Sequence, residues 1–128
     1  MLDFDLSVLI PATPRAIYDA WLTSAGHAAM TGATAEVSSE VGGSFSAWGG
    51  YITGQNLDLE TGRRIVQAWR TTQFTEAEAD SRVEILLEAS DGGTLLTINH
   101  SELPEHGMQY LAGWRDHYVT PMTAYFGG

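Results

Sequence analysis

Pro104-Glu105-His106-Gly107-Met108-Gln109-Tyr110-Leu111-Ala112-Gly113-Trp114-Arg115-Asp116-His117-Tyr118-Val119-Thr120-Pro121-Met122-Thr123-Ala124-Tyr125-Phe126 is the stretch on which the fold turns. Within it Leu111, Trp114, Tyr118, Pro121 and Tyr125 recur at spacings of three and four. That repeat lines one side of an α-helix, so the segment predicts a single long helix with one apolar face. Pro121 has no amide hydrogen and crowds the carbonyl of His117, so a bend is expected there. A helix of this kind needs an apolar surface to lie on.

The preceding residues supply that surface. Phe4, Leu6, Val8 and Ile10 alternate with Asp3, Asp5, Ser7 and Leu9, the period of a half-buried strand, which Pro11 ends. Thr13 can cap a helix that starts at Pro14 and turns Ile17, Ala20 and Trp21 to one side. Ser24 reads as the cap of a second short helix, terminated by Gly32. From Ala35 the pattern changes to strands parted by glycine turns. Val41-Gly42-Gly43 leads into Phe45 and Ala47, Gly49-Gly50 into Tyr51-Ile52-Thr53, and Thr61-Gly62 into Ile65-Val66-Gln67-Ala68-Trp69. Thr75 to Asp80 reads as an acidic loop. Val83, Ile85 and Leu87 then alternate with charged residues, and Asp91-Gly92-Gly93 turns the chain into Leu96, Ile98 and His100 on one face.

The predicted order is therefore strand, two helices, six strands, long helix, in one domain over residues 1–128. Two short helices cannot cover seven strands, so the terminal helix must. The expected class is α+β of the helix-grip type. A curved antiparallel sheet wraps the C-terminal helix, and an apolar cavity lies between them.

Six Arg, no Lys and sixteen acidic residues leave a net charge of −10 with histidine neutral. Such a charge repels phosphate backbones and anionic lipid, so neither nucleic acid nor a membrane is expected as a partner. The absence of cysteine excludes disulfides, thiolate metal sites and cysteine nucleophiles. No apolar run approaches the roughly 20 residues of a membrane helix. Met1 to Asp5 lack the basic start of a secretory signal, which makes the cytoplasm the expected compartment.

Several stretches, in this order, resemble a known family. They are Ala12-Thr13-Pro14-Arg15-Ala16-Ile17-Tyr18-Asp19-Ala20-Trp21, Gly42-Gly43-Ser44-Phe45, Arg63-Arg64-Ile65-Val66-Gln67-Ala68-Trp69-Arg70, Gly93-Thr94-Leu95-Leu96-Thr97-Ile98-Asn99-His100-Ser101 and Gly113-Trp114. Together they resemble the START/SRPBCC superfamily, and within it the branch of homologues of the activator of the heat-shock-protein-90 ATPase. The resemblance spans essentially the whole chain. It implies a helix-grip fold with a deep pocket between sheet and C-terminal helix, used across the superfamily for lipids, polyketides and other apolar small molecules. It implies no shared catalytic residues. Met30-Thr31-Gly32 departs from the family, which often has paired aromatics before that glycine, and Pro121 stands where leucine is commoner. The sequence starts at its first strand without a separate chaperone-binding domain, which weighs against a co-chaperone role.

Trp21, Phe45, Trp69, Trp114 and Tyr118 are candidate walls of the cavity, with Ile85, Leu87 and Ile98 on the sheet and Met30 as an adaptable wall or gate. The same side chains would serve equally as ordinary core. His100 shares a strand face with Leu96 and Ile98, where a neutral imidazole offers one donor and one acceptor. It could anchor a ligand hydroxyl or carbonyl, or be a structural histidine bonded within the fold. His117, one residue before the inward Tyr118, is expected at the edge of the helix face.

Other chemistries find less support. His27, His100, His106 and His117 include no close pair at metal-ligand spacing, so no metal and no cofactor is expected. Ser101 directly follows His100, and adjacent strand residues face opposite ways, which disfavours a nucleophile-base pair. The leading reading is binding of a small, largely apolar molecule. The alternatives are a polyketide-cyclase-like or hydrolase-like enzyme using pocket His and Tyr, for which no recognisable catalytic set exists, and a chaperone-modulating interaction module. Homodimerisation stays open.

Overall fold

Alternation along β6 (Ser81–Ser90) and β7 (Gly93–Leu103) builds the floor of the molecule. Val83, Ile85, Leu87, Leu96, Ile98 and His100 are all buried on one face. The register sets Val83 beside His100, Ile85 beside Ile98 and Leu87 beside Leu96. Gly92, at φ 84°, makes the reversal between the strands, a conformation glycine adopts without steric cost.

The computed structural model describes residues 1–127. It extends this hairpin with β1 (Leu2–Ile10), β2 (Ala35–Val37), β3 (Ser44–Ala47), β4 (Ile52–Glu60) and β5 (Arg64–Thr71). The seven strands form one antiparallel sheet in the order β1-β7-β6-β5-β4-β3-β2. Two short helices, α1 (Pro14–Trp21) and α2 (Ser24–Thr31), connect β1 to β2. Thr13 caps α1 as expected, its hydroxyl accepting from the Ala16 amide at 3.2 Å. The cap of α2 is Thr23 rather than Ser24, since the Thr23 hydroxyl accepts from the Gly26 amide. Ser24 instead accepts from the Val37 amide at 2.9 Å, tying edge strand β2 to the helix.

The C-terminal helix crosses the inner face in pieces: a 3-10 turn (Glu105–Met108), α3 (Gln109–Trp114), a π-helical turn (Arg115–Val119) and α4 (Thr120–Gly127). Its buried line is Tyr110, Trp114, Tyr118 and Met122, not the expected Leu111, Pro121 and Tyr125 flanking Trp114 and Tyr118. Leu111 and Pro121 are half-buried, and Tyr125 is 50% exposed. Steps of four residues drift by about 40° each in a regular α-helix. The wider π turn takes up that drift and holds all four side chains over the sheet. The Thr120 amide bonds to the Arg115 carbonyl, five residues back, immediately before Pro121. The irregularity expected at Pro121 therefore takes the form of a π turn just ahead of it.

Candidate functional site

A run of left-handed residues follows β3. Trp48, Gly49 and Gly50 have φ of 55°, 66° and 92°. Glycine accepts this freely, but a bulky side chain does so at a cost of about 1–3 kcal/mol. The turn is fastened by hydrogen bonds from the Gly50 amide to the Ala47 carbonyl and from the Tyr51 amide to the Trp48 carbonyl, both 3.2 Å. It carries Trp48 towards the C-terminal helix, where its ring meets His117 edge-on at 4.9 Å.

Between this turn and the helix lies a cleft of about 210 Å³. Trp48, Tyr51 and Ile52 wall it from the turn, and Trp69 from β5. The helix contributes Tyr110, Gly113, Trp114, His117 and Tyr118. None of these lining residues is an Asp, Glu or Arg. The cleft exceeds the ~150 Å³ at which an apolar protein cavity accepts benzene. Gly113 is a true opening in the wall, since a Cβ placed there would meet nothing within 4 Å.

Behind the rings run two buried polar chains. Trp114 Nε1 donates to His100 Nδ1 at 3.0 Å, which requires the proton to sit on His100 Nε2. That nitrogen donates to Ser81 Oγ at 2.8 Å, and Ser81 Oγ donates to the Trp69 carbonyl at 2.7 Å. Burial pushes the His100 pKa down to about 3, so the ring is neutral, with both nitrogens engaged. In the second chain His27 Nδ1 donates to the Trp21 carbonyl at 2.9 Å, so Nε2 accepts from the Tyr118 hydroxyl at 2.7 Å. Burial lowers the His27 pKa and raises that of Tyr118. Tyr110 bonds Thr71 Oγ1 at 2.6 Å, and burial raises its hydroxyl pKa as well.

Of the residues singled out in the sequence, Trp69, Trp114, His117 and Tyr118 meet at the cleft. Trp21 stacks on Tyr118 at 5.1 Å from behind. Met30, Ile85, Leu87 and Ile98 lie in the closed core and are not among the cleft walls. Phe45 covers Gly54, where a Cβ would come within 2.6 Å of its ring. His100 is fully buried and does not line the cleft either. Sequence reasoning missed Trp48, Tyr51, Ile52, Tyr110 and Gly113. Tyr110 was within reach, lying four residues before Trp114. The swing of Trp48 depends on a left-handed turn, for which a tryptophan gives no signal. Among the described residues no group of His, Asp or Glu side chains is arranged to hold a metal ion, and no helix is long and apolar enough to cross a membrane.

Comparison with known proteins bears on this architecture. The model of a family described as activator of Hsp90 ATPase homolog 1-like protein matches residues 11–127. A curated relative, the activator of 90 kDa heat shock protein ATPase homolog of Dictyostelium discoideum, is 33% identical over 86 residues. Those residues are 67% of this chain and 22% of the relative, so the chain spans about a fifth of that protein's length. The crystal structure of an HSP90 activator from Plasmodium falciparum superposes with a TM-score of 0.87 at 20% identity, covering 99% of this chain and 97% of that one. The solution structure of an Aha1 dimer from Colwellia psychrerythraea gives 0.74 at 14% identity, covering 98% and 97%. At such identities the likeness to these two structures is one of fold.

Proposed function

The chain belongs to the family of activator of Hsp90 ATPase homolog 1-like proteins, and from that premise we propose that it binds a small, largely apolar molecule in the aromatic cleft. The observation that carries this reading is an open, ring-lined volume of about 210 Å³ beside an otherwise filled core. Ring contact and exclusion of water supply the affinity; burying on the order of 200 Å² of ligand surface gives roughly 5 kcal/mol before association costs. A net charge of −10, and no cationic Arg at the walls, select against anionic ligands.

Gly113→Leu supplies the test. It places a side chain in open space at the wall and leaves every core contact in place. Native mass spectrometry of freshly purified protein is expected to show a bound mass that denaturation releases and that Gly113→Leu lacks. Absence of any bound mass, together with no saturable quenching of tryptophan fluorescence by a panel of uncharged ring compounds, would overturn the proposal.

A second reading follows from the names of the relatives: modulation of a chaperone ATPase, in which the chain acts as one domain or as a dimer. It predicts a changed ATPase rate when the protein is added to a 90 kDa heat-shock protein. An unchanged rate, with no complex on analytical ultracentrifugation, would remove it.

A further inference from the structure

Thr71, Tyr110 and Tyr51 bring their hydroxyls together at one end of the cleft, the two tyrosines as part of its wall. The buried Thr71 Oγ1 accepts from the Gln73 amide at 3.2 Å and meets Tyr110 Oη at 2.6 Å. Among the described residues Tyr110 Oη is the acceptor within its reach, so the Thr71 proton is donated there. The reverse arrangement would strand that proton in a buried site. The Tyr110 proton is thereby turned away from Thr71, towards the neighbouring Tyr51 hydroxyl. Burial raises the Tyr110 pKa and the Tyr51 hydroxyl adds to the rise, as befits a tyrosine that keeps its proton as a donor. Hydroxyls in a row of three share at most two hydrogen bonds, so at least one of their protons is left for an acceptor outside the row. Tyr51 is where it emerges. Its side chain is half-buried at the wall, and among the described residues its hydroxyl has no hydrogen bond of adequate geometry. The one unpaired polar side-chain atom sealed from solvent there is Trp48 Nε1, so Tyr51 Oη is open to solvent. The Thr72 amide, donating to the Tyr51 carbonyl at 3.0 Å, fixes the backbone that presents it.

Resting on the cleft reading above, we infer that Tyr51 orients the ligand and selects its polar group: an uncharged carbonyl or ether oxygen that accepts the Tyr51 hydroxyl proton while an apolar ring lies against Ile52, Trp69 and Trp114. A pure hydrocarbon filling the cleft strips water from Tyr51 and returns no acceptor. A carboxylate would accept well. The ionised Glu78 carboxylate, however, is close enough to act on Tyr110 and disfavours a second negative charge at this end. A neutral oxygen meets both conditions.

Acetophenone and ethylbenzene share a ring and nearly the same shape and differ in the carbonyl. Each is titrated into the native chain and into Tyr51→Phe, followed by quenching of tryptophan fluorescence. Comparing one compound across the two proteins cancels its own hydration. Tyr51→Phe keeps the ring and removes the hydroxyl. It is expected to weaken acetophenone about three- to tenfold and to leave ethylbenzene unchanged or tighter. The carbonyl stretch of isotope-labelled acetophenone is expected at lower frequency in the native complex than in hexane. Equal changes for the two compounds, or a carbonyl band at its hexane position, would overturn the inference while leaving the cleft as a binding site. Benzoate binding as tightly as acetophenone would overturn the choice of a neutral acceptor. Failure of both neutral compounds to bind would overturn the inference and remove support for the cleft reading together. If Tyr51→Phe does not fold, the carbonyl band in the native complex decides alone.

Discussion

The space between sheet and helix is treated in two ways along one molecule. Over β6 and β7 it is filled by Val83, Ile85, Leu96, Ile98 and Leu103, and the polar atoms there close on one another through His100, Ser81 and Trp114. Over β5 and the β3–β4 turn the rings of Trp48 and Trp69 touch the helix at His117 and Tyr110, and with Tyr51 they leave a cleft between these contacts. Both ends use aromatics and histidines, so residue type does not tell them apart. The difference lies in whether each polar atom has found a partner inside the chain. At the closed end all have; at the open end Trp48 Nε1 has not.

The comparison is broken most severely at the closed end. His100→Ala removes a fully packed ring and leaves the Trp114 donor unpaired, and is expected to lower stability by about 3–5 kcal/mol in urea unfolding. A loss under 1 kcal/mol would show that the closed network is not what holds this end together.

Acid should act on the same network with a smaller effect. His100 and His27 hold their pKa below the value of 6.5 in an unfolded chain. Below pH 6.5 the unfolded state takes up protons that the native state refuses, down to about pH 3 for His100. Stability is thus fully present above pH 6.5 and declines as the pH falls. Between pH 7 and 5 His100 alone is expected to cost about 2 kcal/mol, with His27 adding in the same direction. Glu78, stabilised by the Thr75 amide, and Glu84, by Arg64, are held below the usual carboxylate range and stay charged through this window. Equal stability at the two pH values would mean that the imidazoles titrate normally.

Trp114→Phe sharpens the comparison, since Trp114 belongs to both regions. Losing its Nε1–H orphans His100 Nδ1 and should cost about 1–2 kcal/mol by chemical denaturation. Combined with His100→Ala the cost should fall short of the sum, because both variants break one bond. Strict additivity would place the two residues in separate units. The smallest effect is expected at the open end. His117→Ala, exposed and facing Trp48, should change stability by less than about 0.5 kcal/mol while weakening ligand retention in the cleft. A large destabilisation would make His117 part of the core.

The sequence by itself determined the seven strands, their order, both short helices and the helix that crosses the sheet. Alternation along β6 and β7 and the three-and-four spacing near Trp114 report burial directly, because each depends only on local geometry. Which helical side chains face inward was a closer matter. The π turn before Pro121 shifts the line to Tyr110 and Met122, a change that no regular spacing contains. Only the tertiary structure decided what the histidines do and where the cleft opens. His100 meets Trp114 and Ser81, and His27 meets Tyr118, across large sequence separations that parity along a strand does not reach. Trp48 reaches the cleft wall because a left-handed turn swings it there, and its buried N–H is left near the Tyr118 hydroxyl without a hydrogen bond of adequate geometry. A polar atom's partner is set by three-dimensional packing, so the sequence lists the donors and acceptors while the fold alone says which remain unpaired.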